Sequence, residues 1–165
     1  MKRRGPDRHA VLAALRARLG ETLARLAAAQ ASAQAGAVHA EAKQEHAKDM
    51  RSTEASYLSR GLAERVETLA DAVQLLAAFA PAPRAADAPV GLGDLVVVAD
   101  DSGDEALYFL APVGGGEKLD VDGATVLVLT PRSPLGAALL DRHSGDEVTI
   151  DLPGGRRTAE IVRVA

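Results

Sequence analysis

Apolar residues recur at alternating steps of three and four along two long stretches of this 165-residue chain. Such spacing places them on one face of a helix, as in a heptad seam. It predicts a helix over residues 7–35, with Pro6 in its first turn, and a second over residues 52–79. Two seams of similar length favour an antiparallel coiled-coil hairpin. The seam residues are Leu12, Leu15, Leu19, Thr22, Leu26, Ala29 and Ala33, then Leu58, Leu62, Val66, Leu69, Val73 and Leu76.

The turn between the two helices is predicted between residues 36 and 49, the least apolar part of this half. If residues 41–50 are helical, the tip lies near residues 36–39. Glu41, Glu45 and Asp49 would then share one helix face, because they are spaced by four. Interleaved lysines and arginines favour an ordinary solvated face. Carboxylates at the end of a hairpin can also complete a divalent metal shell in another protein.

A Pro/Ala-rich segment, residues 80–89, separates the helical half from the rest and predicts a linker. After it, short apolar runs alternate with turn signals and predict strands at 95–99, 106–110, 125–129, 147–152 and 159–164. Residues 135–140 are predicted as a short helix. The expected fold is therefore α+β, a coiled-coil hairpin over 1–79 and a small antiparallel sheet with one short helix over 90–165.

Composition excludes several functional classes. Aromatic residues make up 2% of the chain, and there is no Cys. The chain therefore lacks base-stacking platforms, disulfides and thiolate chemistry. The net charge of −4 argues against a general phosphate-binding surface. No apolar run reaches the ~18 residues of a transmembrane helix, so a cytoplasmic location is expected. The four histidines lack zinc-helix spacing, and no cluster of nucleophile and base stands out.

Three motifs occur in order near the C-terminus: Ser-Pro-Leu-Gly at 133–136, Gly-Asp-Glu-Val at 145–148, and Pro-Gly-Gly at 153–155. Together they resemble the C-terminal domain of the Gre family, bacterial transcript-cleavage factors that enter the secondary channel of RNA polymerase. The resemblance covers roughly residues 90–165. It implies a long antiparallel coiled coil followed by an FKBP-like domain, in a mainly monomeric protein that is not itself an enzyme.

The resemblance also implies roles for particular residues. Ser133, Pro134 and Leu135 correspond to the loop that docks on RNA polymerase at the rim of the channel. The coiled coil would carry acidic tip residues, here Glu41, Glu45 and Asp49, to a Mg²⁺ ion shared with the polymerase, with no cofactor of its own. Three arginines, Arg16, Arg18 and Arg25, would face the transcript RNA.

The tip departs from the family pattern. Gre factors carry a GDLSENAEY-type sequence there, which this chain lacks. Aligning Arg65-Val66 with the family's Arg-Ile puts Glu45 at the position of the family's Asp and Lys48 at that of its Glu, with Asp49 adjacent. The chain is therefore similar to a divergent Gre factor that either stimulates cleavage of backtracked RNA or inhibits and competes in the same channel.

Two other classes of function stay open. An FKBP-like fold invites a prolyl isomerase or chaperone, but fold does not carry function. After the linker the chain has only Tyr108 and Phe109 as aromatic residues, and neighbours on a strand face opposite sides. A coiled-coil adaptor that oligomerises through residues 7–79 would carry the same seams.

Overall fold

The computed structural model describes residues 5–42 and 50–165. The chain divides into two compact units, Met1–Arg16 with Leu75–Ala165, and Ala17–Gln74. Helix α1 spans Arg8–Ala42 and helix α2 spans Met50–Ala78. None of the described helices is both long and apolar enough to cross a membrane. The α+β class and the helical N-terminal region agree with the sequence prediction.

Helix α1 begins after Asp7, whose carboxylate accepts a hydrogen bond from the backbone N–H of His9 at 3.3 Å. It continues seven residues past its predicted end, through Gly36 and His39. The tip near residues 36–39, one of the two predicted alternatives, was therefore wrong. The alanine-rich sequence explains the extension, because alanine has the highest helix propensity and one glycine costs only ~1 kcal/mol.

In the first unit, the start of α1 packs on the end of α2. Leu15 of α1 and Leu76 of α2 are both fully buried. Arg16 donates from Nε to the carbonyl of Leu76 at 3.0 Å and from Nη2 to that of Phe79 at 2.6 Å. These carbonyls have no partner within their own helix, so Arg16 caps the end of α2. An arginine expected to face RNA thus has a structural role.

In the second unit, only some of the predicted seam residues lie between the two helices. Leu26 of α1 lines a shallow depression together with Arg65 and Leu69 of α2. Because residue 16 lies beside 76–79 and residue 26 beside 64–72, the two helices run antiparallel. Leu58, a predicted seam residue, is 64% exposed.

The C-terminal half forms one six-stranded sheet of order β3-β4-β2-β1-β6-β5. The pairs are antiparallel except β2 with β4, which run parallel, so the expectation of a purely antiparallel sheet was wrong. Helix α3, Pro134–Leu139, follows β4. The strands are β1 Leu95–Asp100, β2 Glu105–Leu110, β3 Lys118–Val121, β4 Ala124–Leu129, β5 Glu147–Leu152 and β6 Gly155–Val164.

The parallel pair results from β3, a strand that was not predicted. Asp122 and Gly123 both have positive φ, 52° and 76°, which suits a two-residue hairpin turn. This turn joins β3 to β4. Because it reverses the chain direction once more, β4 runs parallel to β2. Two features of the sequence indicate β3: the Asp-Gly pair at residues 122–123, and the alternation of Leu119 and Val121, which are both buried.

One face of the sheet is covered by α3. Its Leu139 is fully buried in a cluster with Val96 and Leu110, to which Val148 and Ile161 also belong. A bulge opposite Val97 and Val98 leaves Val162 unpaired between Ile161 and Arg163, and Val162 is 40% exposed. In β5, Val148 and Ile150 are buried, whereas Leu152, which the strand alternation places on the same face, is 40% exposed.

Asp94, just before β1, is the one charged residue buried in the described part of the chain. Its carboxylate forms ion pairs with Arg84 of the 80–89 segment and with Arg8 of α1, the latter at 3.5 Å. It also accepts a hydrogen bond from the N–H of Gly91 at 2.8 Å. Arg8 in turn donates to the carbonyl of Ala82 at 2.8 Å. One carboxylate thus joins three segments of the first unit.

We predict that Asp94→Ala lowers the free energy of unfolding by about 3–5 kcal/mol, because it leaves the largely buried side chains of Arg8 and Arg84 without their partner. Urea denaturation followed by circular dichroism measures this change. Asp151→Ala is the control, since it removes the exposed Asp151–Arg156 pair and should cost less than about 1 kcal/mol. Equal losses in the two variants would contradict the role given to Asp94.

Candidate functional site

The turn before α3 is built by Ser133. Its backbone is extended, with φ −75° and ψ 147°, and Pro134 occupies the first helical position. The Ser133 hydroxyl accepts a hydrogen bond from the N–H of Gly136 at 3.0 Å and donates one to the carbonyl of Thr130 at 2.9 Å. Ser133 is therefore a helix cap whose hydroxyl is already engaged, which leaves it no freedom to act as a nucleophile.

Gly136 is required at this turn for a steric reason. A Cβ added to it would lie 2.0 Å from the carbonyl oxygen of Thr130 and 2.7 Å from the Ser133 hydroxyl. No side chain fits there, so the turn closes only on glycine. The Ser-Pro-Leu-Gly motif is thus a rigid unit in which Ser133 and Gly136 set the shape. Pro134 is exposed and Leu135 half-buried at its surface.

The two later motifs also have structural roles. Gly145 has a φ of 91°, and its N–H donates to the carbonyl of Ile161 at 2.7 Å. Asp146 accepts a hydrogen bond from the N–H of His143 at 2.8 Å. Gly155, with a φ of 118°, closes the β5–β6 hairpin opposite Leu152. Gly145, Asp146 and Gly155 therefore fix turns of the backbone.

Leu135 lines a groove of about 460 Å³ on the sheet face beside α3. We call it the Leu135 groove. Its apolar floor comes from several elements of the sheet, and its rim from the β1–β2 loop and from Arg157 of β6. The floor is formed by Val98, Tyr108, Leu135, Ile150, Leu152 and Ala159, and the acidic part of the rim by Asp100, Asp101, Asp104 and Glu105.

Sequence reasoning missed this groove as a site. The sequence predicts only strands and turns over the residues that line it. The signal was the run of acids in Asp-Asp-Ser-Gly-Asp-Glu, residues 100–105. Burial and the nearby negative charge of Asp100 raise the pKa of the Tyr108 phenol, which lines the same groove.

The structure does not place the predicted tip acids together in a site. Glu41 belongs to α1, and Glu45 and Asp49 lie outside the described residues. Among residues 5–42 and 50–165 no group of three His, Asp or Glu side chains is arranged to hold a metal ion. The metal role of Glu41, Glu45 and Asp49 therefore stays a prediction.

The C-terminal half of the chain is similar in sequence to known proteins. A family model described as transcription elongation factor, GreA/GreB, C-term, matches residues 85–165. The transcription elongation factor GreA of Desulfotalea psychrophila is 37% identical over 76 residues, 46% of this chain and 44% of that protein. That of Nitratidesulfovibrio vulgaris is 39% identical over 77 residues, again 46% and 44%. The chain thus spans less than half the length of these curated relatives.

A solved structure of the transcription factor Gfh1 aligns over 92% of this chain and 93% of that chain, at 23% identity and a TM-score of 0.40. Residues 85–165, which contain the six-stranded sheet and the capped Ser-Pro-Leu-Gly turn, thus match the GreA/GreB C-terminal domain.

We predict that Gly136→Ala lowers the free energy of unfolding by about 1–3 kcal/mol, because the added methyl group overlaps the Thr130 carbonyl. Gly154→Ala is the control: a Cβ there meets no atom within 4 Å, and the change should stay within about 0.5 kcal/mol. Thermal denaturation of both variants tests this, and an unaltered Gly136→Ala variant would contradict the steric argument.

Proposed function

We propose that this protein binds RNA polymerase at its secondary channel and modulates transcript elongation without catalysis of its own. The observation that carries the proposal is the family match over residues 85–165, which includes the preformed Ser133–Leu135 turn. The antiparallel pairing of α1 and α2 supports it, since a paired helical segment is what a narrow channel admits. The proposal includes a cytoplasmic location, a monomeric state and contact with transcript RNA.

In this proposal Ser133, Pro134 and Leu135 form the docking loop for the polymerase. The hydrogen bonds of Ser133 hold the loop in one conformation before binding, which reduces the entropy lost on association. Pro134 adds to this rigidity because its φ is fixed by its ring. Pro134 is exposed and Leu135 half-buried, so both can lose further contact with water in a complex.

The chemistry at the tip admits two outcomes. If Glu41, Glu45 and Asp49 supply an oxygen ligand to a Mg²⁺ held by the polymerase, the ion can activate water for hydrolysis of backtracked RNA. If they do not, the same docking makes the protein an inhibitor or a competitor of other channel factors. A prolyl isomerase has less support, since Tyr108 is the single aromatic residue lining the Leu135 groove.

The docking loop can be tested by Pro134→Ala. We expect binding to core RNA polymerase to weaken roughly tenfold, or about 1.4 kcal/mol, because an exposed and rigid contact is lost. Pro153→Ala, at an exposed proline of the β5–β6 turn, is the matched control and should bind like the wild type. Fluorescence anisotropy measures both affinities. Binding of Pro134→Ala equal to that of Pro153→Ala would exclude Pro134 from the interface.

The tip can be tested with a backtracked elongation complex that carries end-labelled RNA, in the presence of Mg²⁺. The variant Glu41→Ala/Glu45→Ala/Asp49→Ala removes the three predicted tip acids. The control Glu64→Ala/Glu67→Ala/Asp71→Ala removes the same charge from exposed positions of α2. If the tip supplies the ligand, wild type and control shorten the RNA and the tip variant does not.

The same experiment separates the remaining outcomes. If the wild type does not shorten the RNA but prevents cleavage by an added authentic Gre factor, the protein is a channel-occupying regulator. If it neither cleaves nor competes, the proposal that RNA polymerase is its partner is wrong.

A further inference from the structure

Strand β5 forms one edge of the sheet, next to β6. Its ladder with β6 determines which of its backbone groups are already bonded. Ile161 donates its N–H to the carbonyl of Asp146 at 2.9 Å, and in an antiparallel ladder every second residue pair repeats such a bond. The even-numbered residues of β5 therefore bond to β6. The odd-numbered residues, Glu147, Thr149 and Asp151, direct their N–H and C=O groups away from the sheet.

This edge is open along its whole length. No backbone–backbone hydrogen bond between described residues, outside the β5–β6 ladder, involves Glu147, Thr149 or Asp151, and all three are exposed. Sheet edges are commonly blunted by proline, lysine or a bulge, and the six residues of β5 contain none of these. The opposite edge, β3, has only four residues and begins with Lys118. Strand β5 is thus the edge that can accept a further strand.

The apolar face of β5 is incompletely covered. Val148 and Ile150 are buried, whereas Leu152 on the same face is 40% exposed. A strand added beside β5 would place a side chain next to Leu152 and remove it from water. In such an addition the backbone hydrogen bonds supply affinity, and the side chains opposite one another set the register. The added strand therefore needs an apolar residue opposite Leu152.

A second copy of β5 meets this need. Two copies can pair antiparallel about a two-fold axis in the register that puts Thr149 of each opposite Asp151 of the other. Val148 of each then lies opposite Leu152 of the other, on the apolar face. The Asp151 carboxylate is already paired with Arg156 at 3.0 Å, and it can accept a hydrogen bond from the Thr149 hydroxyl across the two strands.

Other registers fit less well. If Thr149 lies opposite its own counterpart, Glu147 comes opposite Asp151 twice, and like charges directly opposite destabilise a strand pair. If Thr149 lies opposite Glu147, Leu152 stays uncovered. A shift by one residue would bring the apolar face of one strand onto the polar face of the other. Charge and burial therefore select the register of Thr149 with Asp151.

We propose that β5 mediates a weak symmetric dimer, in which the β5 edges of two copies pair antiparallel with Thr149 of each opposite Asp151 of the other. Two strands of six residues bury far less than the ~1,200 Å² of a stable interface. We therefore expect a dissociation constant on the order of 0.1 mM. This dimer lies outside the proposed function, which concerns the monomer that predominates at lower concentrations.

The register is tested by the pair of variants Thr149→Lys and Thr149→Glu. The lysine places a cation opposite Asp151 at two symmetric positions and should tighten the dimer about fivefold, whereas the glutamate places like charges there and should weaken it about fivefold. The matched controls are Thr68→Lys and Thr68→Glu, at an exposed position of α2, and both should dimerise like the wild type. Sedimentation equilibrium of the full chain at up to about 1 mM, tenfold above the expected dissociation constant, measures all five proteins.

The backbone pairing is tested separately with Thr149→Pro. Proline removes the outward N–H of residue 149 without removing a bond to β6, and it is tolerated on edge strands. The control Lys118→Pro makes the same change at the start of β3, the opposite edge. We expect Thr149→Pro to weaken the dimer about tenfold or more and Lys118→Pro to leave it unchanged. A thermal melt checks that each variant is folded, and if Thr149→Pro is not, the charge variants decide.

Each outcome bears on the dimer and leaves the proposed function to its own tests. A wild type that stays monomeric at about 1 mM overturns the inference. If both charge variants at Thr149 weaken the dimer, Thr149 lies opposite its own counterpart and the proposed register is wrong. If a dimer forms but no variant of Thr149 alters it, the copies associate through another surface, such as the helical seams, and the role given to β5 is wrong.

Discussion

The first unit depends on one buried carboxylate. Asp94 lies at the point where the chain enters the sheet, and its partners Arg8 and Arg84 come from the start of α1 and from the proline-rich segment. A buried charge is costly unless it is paired and hydrogen-bonded. Asp94 meets this requirement only when all three segments are in place. The pairing therefore holds the start of α1 and the proline-rich segment at the entry to the sheet.

Arg16 adds a second polar constraint to the same region. Since it binds the last carbonyls of α2, the end of that helix is defined by a side chain of the other helix. The apolar seam supplies most of the favourable free energy in such a pair of helices. The polar contacts of Arg16 fix where the end of α2 lies against α1 within the first unit.

Much of the fold could be predicted from the sequence. The seams and the prolines predicted both helices, and five of six strands followed from their apolar runs. What could not be predicted depends on long-range pairing. The parallel contact of β2 with β4 is not visible in local periodicity, and the seam spacing does not indicate that Leu58 is 64% exposed. The groove was not predicted either, since it joins residues from four strands, helix α3 and a loop.

The three motifs that led to the family illustrate why a motif can identify a relationship without identifying a contact. Each motif meets a local requirement of the backbone. Ser133 caps a helix, Gly136 leaves the space that a Cβ would fill, and Gly145 and Gly155 adopt a positive φ. Such requirements hold for any protein that keeps this fold, whatever it binds. The features that choose a partner must therefore be sought in side chains that the fold does not need. Asp101 and Asp104 of the β1–β2 loop meet this criterion, because both are exposed and the turn's hydrogen bonds are accepted by the Asp100 side chain instead.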